Sequence, residues 1–303
     1  MSSVLYDAPG PRAIRRHLIL GVLTVLVIAA ALGFVIYQLA QTGQFSAEKW
    51  RLFGFPLVQQ KVLEALAATL TAFGLAAVLS LVLGFILAIG RLSQHAWIRV
   101  PVTWFIELFR AIPVLILMMI MYYGLPPLGV TFVTPLVAVV TGLTLYNGSV
   151  LAEIFRAGVE SLPSGQKEAG YALGLRKSGV MSLILFPQAI RAMMPVIISQ
   201  LVVVLKDTAL GFIVTFQELL YLAKFYGAQV TYGSPIIPAT ILFGTIYILL
   251  CLILAGIAKW VEIRTRRSPK IAKPTKGGGG KPVETSTAPF VGQQMDQGAA
   301  PIQ

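Results

Sequence analysis

Apolar residues along this chain come in long uncharged runs, and the stretches between them hold most of the Lys, Arg, Asp and Glu. A helix that crosses a bilayer core needs about 20 apolar residues. Six runs approach that length: Leu18 to Ala40, about Ala65 to Gly90, about Val100 to Gly124, about Pro135 to Leu151, Met181 to Leu205, and about Ile236 to Ala258. The third holds Glu107 and Arg110 in its first half, the fourth continues helically through Glu153 and Arg156, and the fifth is interrupted by Pro187 and Pro195. Between the last two runs, Thr208 to Ala223 is apolar but too short and broken for a full span, which predicts a partly inserted or cavity-lining segment. The pattern predicts an all-α integral membrane fold of about six transmembrane helices.

Composition agrees. Of the 303 residues, 56% are hydrophobic and 12% charged, about half the charge of a soluble domain. The net charge of +12 would suggest nucleic acid in a soluble protein; here the basic residues flank apolar spans and set topology instead. With the N-terminus inside, 19 of the 24 Lys and Arg fall on the inner side, and only Lys49, Arg51, Lys61, Lys206 and Lys224 fall outside. Both termini are therefore expected in the cytoplasm. The first run follows Arg15 and Arg16 as a signal peptide would, yet it exceeds the usual apolar stretch and Gln38-Leu39-Ala40 lacks a small-x-small cleavage pattern, so a retained helix is expected. From about Arg264 onward the chain is rich in Lys, Pro, Gly, Thr and Gln, with four glycines at Gly277 to Gly280, and it is expected to be disordered. Cys251 is alone, and His17 and His95 lie far apart, an inventory that cannot build a disulfide or a zinc or haem site.

The connection between the fourth and fifth runs carries the most information. Pro163-Ser164-Gly165 breaks the preceding helix. Gly165 can cap a new one with Glu168 at its third position, half of a capping box. Gln166 to Leu173 then forms about two turns, and Gly174 supplies a left-handed stop. A helix this short, with Lys167 and Glu168 polar beside Ala169, Ala172 and Leu173, suits docking into another protein better than burial in its own core.

Glu168-Ala169-Gly170, then Leu173-Gly174, then Phe186-Pro187-Gln188-Ala189 and Pro195 resemble the EAA loop of ABC-importer permeases, with Gly170 where the second alanine is usual. Phe109-Arg110-Ala-Ile-Pro113, Glu153-Ile-Phe-Arg156-Ala-Gly158, Gly165-Gln166, Pro187-Gln188-Ala189-Ile-Arg191 and Leu205-Lys206-Asp207-Thr208-Ala-Leu210 are similar to the polar amino acid uptake branch of that family. The resemblance covers about residues 62 to 258. It implies a type I importer permease core of five helices, with the first helix an addition that brings the N-terminus inside. The implied domains are a cytoplasmic N-terminus (1–17), an extra helix and outside loop (18–61), the permease domain (62–258, coupling loop about 157–180) and a basic tail (259–303). It also implies that Gly165, Gln166, Glu168, Ala169, Gly170, Leu173 and Gly174 couple the chain to an ATPase.

Several polar residues carry two readings. Arg110 and Glu107 share a helix face as an ion pair with a snorkelling arginine, or Arg110 stands beside the transport pathway, where the family places it. Glu153, Arg156 and Glu160 form one charged face, solvated or with Glu153 deep enough to line the pathway. Tyr146 and Asn147 offer hydrogen bonds to a substrate or between helices. Lys206, Asp207 and Thr208 match the ammonium and carboxylate of a zwitterion, or satisfy each other at a helix end.

The resemblance implies a bacterial inner-membrane, multi-pass permease for a polar amino acid, glutamate or glutamine foremost, or for another small polar solute. Expected partners are a cytoplasmic ABC ATPase dimer, a second permease subunit (a copy or a paralogue), an extracytoplasmic amino-acid-binding protein and membrane lipid, but no nucleic acid. No cofactor is expected on this chain, since ATP and Mg belong to the ATPase. The sequence contains no G-x-x-x-x-G-K-[S/T] loop, because Lys281 after the four glycines is followed by Pro282. A self-powered carrier would call for inverted repeats, and an intramembrane enzyme for a nucleophile or metal cluster; the sequence carries neither pattern.

Overall fold

The computed structural model describes residues 10–265; the first nine residues and most of the expected basic tail lie outside them. The elements are α1 (Pro11–Gln41), α2 (Ala47–Arg51), α3 (Pro56–Arg91), α4 (Ala96–Ala111) and α5 (Val114–Met119), which runs into a π-helical turn at Ile120–Gly124. Then come α6 (Pro135–Glu160), α7 (Ser164–Ala172), α8 (Lys177–Gly179), a π-helical turn at Val180–Leu185, α9 (Phe186–Asp207), a 3-10 turn at Thr208–Val214, α10 (Leu219–Gly227) and α11 (Ile236–Thr265). Five segments are long and apolar enough to cross a membrane: α1, α3, α6, the continuous stretch Lys177–Val214, and Ile236–Ile263. The count reaches six if α4 and α5 together make one span. The fold is all-α, as the run pattern requires.

The centre of the bundle is the α3–α6 pair. Ala72, Ala76, Ser80, Gly84 and Ala88 are all buried and fall four residues apart, so they form one ridge on α3. Ala72 and Ala76 meet Val139, Val140 and Leu143 of α6, and Ala88 lies farther along with Leu151 and Phe155. The two helices therefore run in the same direction. A Cβ added to Gly84 would lie 2.7 Å from the Leu151 Cβ and 2.9 Å from the Gly148 carbonyl oxygen. Small residues let membrane helices approach this closely, and dispersion between backbones replaces the hydrophobic drive that lipid cannot supply. The return helix α9 runs the other way along α6, with Ala189 and Met193 against Gly158 and Val204 beside Val139. In contrast, α1 has no buried residue; it stands apart from the core as an added helix.

One expected span needs correction, and the segment expected to be too broken for a span is indeed broken. The run Val100 to Gly124 is broken, with α4 and α5 meeting at 98°. Ile112 is extended (φ −88°, ψ 126°), because a residue before proline is driven out of the helical region, and Pro113 then caps α5. The segment Thr208 to Ala223 is two pieces. Its 3-10 turn ends at Thr215 in the left-handed region (φ 61°), and α10 begins four residues later. The fifth run survives its prolines: Pro187 follows directly on the π-helical turn Val180–Leu185, a widened turn that accommodates the ring and the missing N–H, and Pro195 lies within α9.

Candidate functional site

At one end of the bundle α6 hands over to α7 through Ser161–Pro163. Pro163 caps α7 with extended backbone (φ −56°, ψ 135°), and its carbonyl accepts the Gln166 N–H at 3.1 Å. The cap is thus two residues earlier than the expected Gly165, and Glu168 lies in the second turn rather than in a capping box. The reason is that proline already holds the φ an N-cap needs. The other end is as expected. Gly174 is left-handed (φ +77°), its N–H bonds the Tyr171 carbonyl at 2.9 Å, and the Leu175 N–H bonds Gly170 at 3.2 Å, a Schellman closure.

This geometry presents one face outward and one inward. Gly165, Gln166, Glu168 and Ala169 are exposed, and Leu173 is 81% exposed. Only Gly170 is buried, where an added Cβ would lie 2.9 Å from Val180 and 3.0 Å from Ile184. An alanine there would push α7 off the π-helical turn, which is a physical reason for glycine in that position. Gln188 of α9 donates back to Gln166 at 3.4 Å. A leucine held in water on a short, well-terminated helix is costly unless a partner covers it.

Just inside this end lies a chain of charges. Arg91 of α3 pairs with Glu153 at 2.9 Å and approaches Glu107 at 3.8 Å. Arg156 pairs with Glu153 at 3.1 Å and also with Glu160. Glu153 therefore bridges two arginines and ties α3 to α6. The Glu107 carboxylate leans toward Arg91, not toward the expected Arg110, which is exposed.

Deeper in the bundle Asn147 is fully buried. It donates to the Leu143 carbonyl at 3.0 Å and accepts from Gln200 of α9 at 2.7 Å, a polar link between helices. Tyr146 beside it is half-buried. Lys206 is exposed and Asp207 half-buried, while Thr208 is buried and donates to the Leu205 carbonyl at 2.6 Å. Sequence reasoning passed over the most enclosed acid of this region. Glu218 is 0% exposed and accepts from the N–H groups of Leu220 and Tyr221 at 2.7 Å each and from the Tyr247 hydroxyl of α11 at 2.6 Å. It caps α10 and fastens that helix to α11. A lone acid inside an apolar stretch was the available signal. Near Thr69 and Leu219, on the side away from α7, a cavity of about 390 Å³ is lined by Lys61, Glu64, Thr134, Thr215 and Gln217. Its Lys61 and Glu64 pair at 2.7 Å.

Apolar spans, tied internally by polar links and bearing an exposed, glycine-terminated helix on one end, make this a multi-pass membrane protein with a docking element. Over residues 80–267 the chain matches the family of binding-protein-dependent transport system inner membrane components, and it belongs to that family. It is 43% identical over 188 residues to the glutamate transport system permease protein GluD of Corynebacterium glutamicum, covering 60% of this chain and 67% of that one. To the arginine transport system permease protein ArtQ of Bacillus subtilis it is 34% identical over 206 residues, 66% of this chain and 90% of that one. Among solved structures it resembles the crystal structure of an amino acid ABC transporter with histidines (TM-score 0.62, 26% identity, 68% of this chain and 94% of that one). It shares its fold with the inward-facing MetNI methionine ABC transporter (TM-score 0.55, 21% identity, 70% and 97% covered). The fold is thus that of type I ABC importer permeases, and the chain is a permease of the polar amino acid kind.

Proposed function

We propose that this chain imports glutamate, by alternating access, as one transmembrane subunit of a complex whose ATPase docks on α7. The observation that carries the reading is α7 itself, which shows Leu173 and the Gln166–Ala169 edge to solvent while Gly170 seats it against the span behind. The 43% identity to a glutamate permease supports the choice of amino acid. A permease for another polar amino acid is the second reading, favoured by the 34% identity to an arginine permease over 90% of that protein's length.

In this reading the α7 end faces the cytoplasm, as do both termini. ATP and Mg sit on an ATPase dimer, a second permease copy or paralogue completes the pathway, and an extracytoplasmic binding protein delivers substrate to the end opposite α7. The cavity beside Lys61 and Glu64 offers that end both signs of charge. Asp207, half-buried where α9 closes at the end away from α7, is the acid of this region that a substrate entering there meets.

Uptake of radiolabelled glutamate by cells with and without the gene tests the proposal, with unlabelled glutamine and arginine as competitors. Gene-dependent uptake displaced by glutamate alone is expected; displacement by arginine alone selects the second reading. Glu168→Lys should abolish uptake with membrane insertion intact, and wild-type uptake by that variant at equal protein level rules out docking at α7.

A further inference from the structure

A cavity of about 840 Å³ opens between the C-terminal end of α3, the turn after it and the beginning of the α8–α9 span. Its wall is hydrocarbon, with Phe85 and Ile89 on one side and Met181 and Phe186 on the other. The Phe85 and Phe186 rings touch with centroids 5.1 Å apart. Behind it α4 crosses α3 closely, since a Cβ on Gly90 would lie 2.9 Å from Val102, so the recess is held open by packed helices.

The rim has the opposite character. Lys177 lines it, and its ammonium donates to the Leu92 carbonyl at 3.0 Å, leaving two N–H donors. His95 lines the rim as well, and Arg99, exposed on α4 four residues on from His95 and next to the lining residue Ile98, shares that helix face. No Asp or Glu lines the cavity. Trp97 and Trp104 of the neighbouring α4 are 75% and 72% exposed, and tryptophans displayed outward on a membrane protein mark the headgroup level. The basic rim is thus placed among headgroups and the apolar wall just beneath them.

A zwitterion in transit finds no anionic partner here, and a neutral lipid makes no use of the rim. We propose that this recess is a binding site for an anionic phospholipid, with its phosphate at Lys177 and Arg99 and an acyl chain against Phe85, Ile89 and Phe186. Basic pockets between transmembrane helices recognise such headgroups, each Lys or Arg strengthening binding to an anionic surface severalfold. The site is separate from the transport assignment and stands or falls without it.

The test titrates the purified, delipidated full-length chain with phosphatidylglycerol and with phosphatidylcholine, counting bound lipid by native mass spectrometry. Wild type should bind phosphatidylglycerol more tightly. Arg99→Gln should weaken phosphatidylglycerol about fivefold and Arg99→Gln with Lys177→Gln about thirtyfold, from about one basic-residue increment each, while phosphatidylcholine is unchanged. Lys177→Arg should retain binding. Ser182→Trp, which places a ring over the lip of the recess, should weaken both lipids. Arg99 is exposed, so its single variant reads the rim even if the double variant does not fold. Equal binding of the two lipids by wild type overturns the proposal, as does unchanged phosphatidylglycerol binding in Arg99→Gln. Displacement of phosphatidylglycerol by soluble glycerol phosphate, with Ser182→Trp inert, would leave only an anion site and also overturns it.

Discussion

Replacing Gly84 by alanine tests the packing on which the whole bundle depends. The added methyl would lie 2.7 Å from the Leu151 Cβ and 2.9 Å from the Gly148 carbonyl oxygen. Neither atom belongs to the flexible end of a side chain, so only a shift of α3 away from α6 relieves the overlap. An ordinary contact needs about 0.7 Å more. That shift also loosens Ser80, whose hydroxyl reaches the Leu143 carbonyl at 3.5 Å and has no slack to spare. Overpacking of this kind costs about 1–3 kcal/mol. Gly74, on the same helix, has nothing within 4 Å of its would-be Cβ. There alanine should be neutral or gain up to about 1 kcal/mol from helix propensity. Thermal unfolding of both variants in one detergent compares them directly. Gly84→Ala should melt below wild type and Gly74→Ala at or above it. If the two melt together, the α3–α6 ridge is not the tight contact described.

Further outcomes follow from other contacts. Glu218→Ala strands two backbone donors and the Tyr247 hydroxyl, and should cost about 2–5 kcal/mol in thermal unfolding; Glu218→Gln keeps an acceptor oxygen and should cost less than half of that. Glu153→Ala leaves Arg91 and Arg156 short of a shared partner. It should lower the melting temperature while the half-maximal substrate concentration for ATPase stimulation in the reconstituted complex stays put; a shifted midpoint would place Glu153 on the pathway. Gly174→Val forces a branched residue into φ +77°, at a cost of about 1–2 kcal/mol or more, and should impair ATPase binding in a pull-down. Gly165→Ala, with open space around it, should bind normally.

The spans were legible because bilayer thickness imposes a length that composition alone reveals. Where the chain departs from simple runs, backbone chemistry decided, and some of it was readable. Pro113 marks the α4–α5 break, although the apolar residues that continue on either side of it concealed the break. Pro163 takes the α7 cap from Gly165 because its ring presets φ. The ridge Ala72, Ala76, Ser80, Gly84, Ala88 is written in the sequence at a four-residue period, but a period signals an interface only once the facing helix is known. Glu107 illustrates the limit in the other direction. Its neighbour Arg110 is three residues away on the same helix, yet the arginine it approaches is Arg91, on a different helix. Glu218 was legible as a lone acid in an apolar stretch, but glutamate is not among the preferred N-cap residues, so its role as the cap of α10 was not.

The contact at Gly158 has a mechanical consequence. A Cβ there would lie 2.6 Å from the Met193 side chain, so α6 and α9 touch closely at that point. About 16 Å along the axis Asn147 is joined to Gln200, and about 12 Å beyond that Val139 packs with Val204. The buried polar bond is therefore clamped between two apolar contacts, like a rivet between two welds. Water reaches it only if one of those contacts opens first.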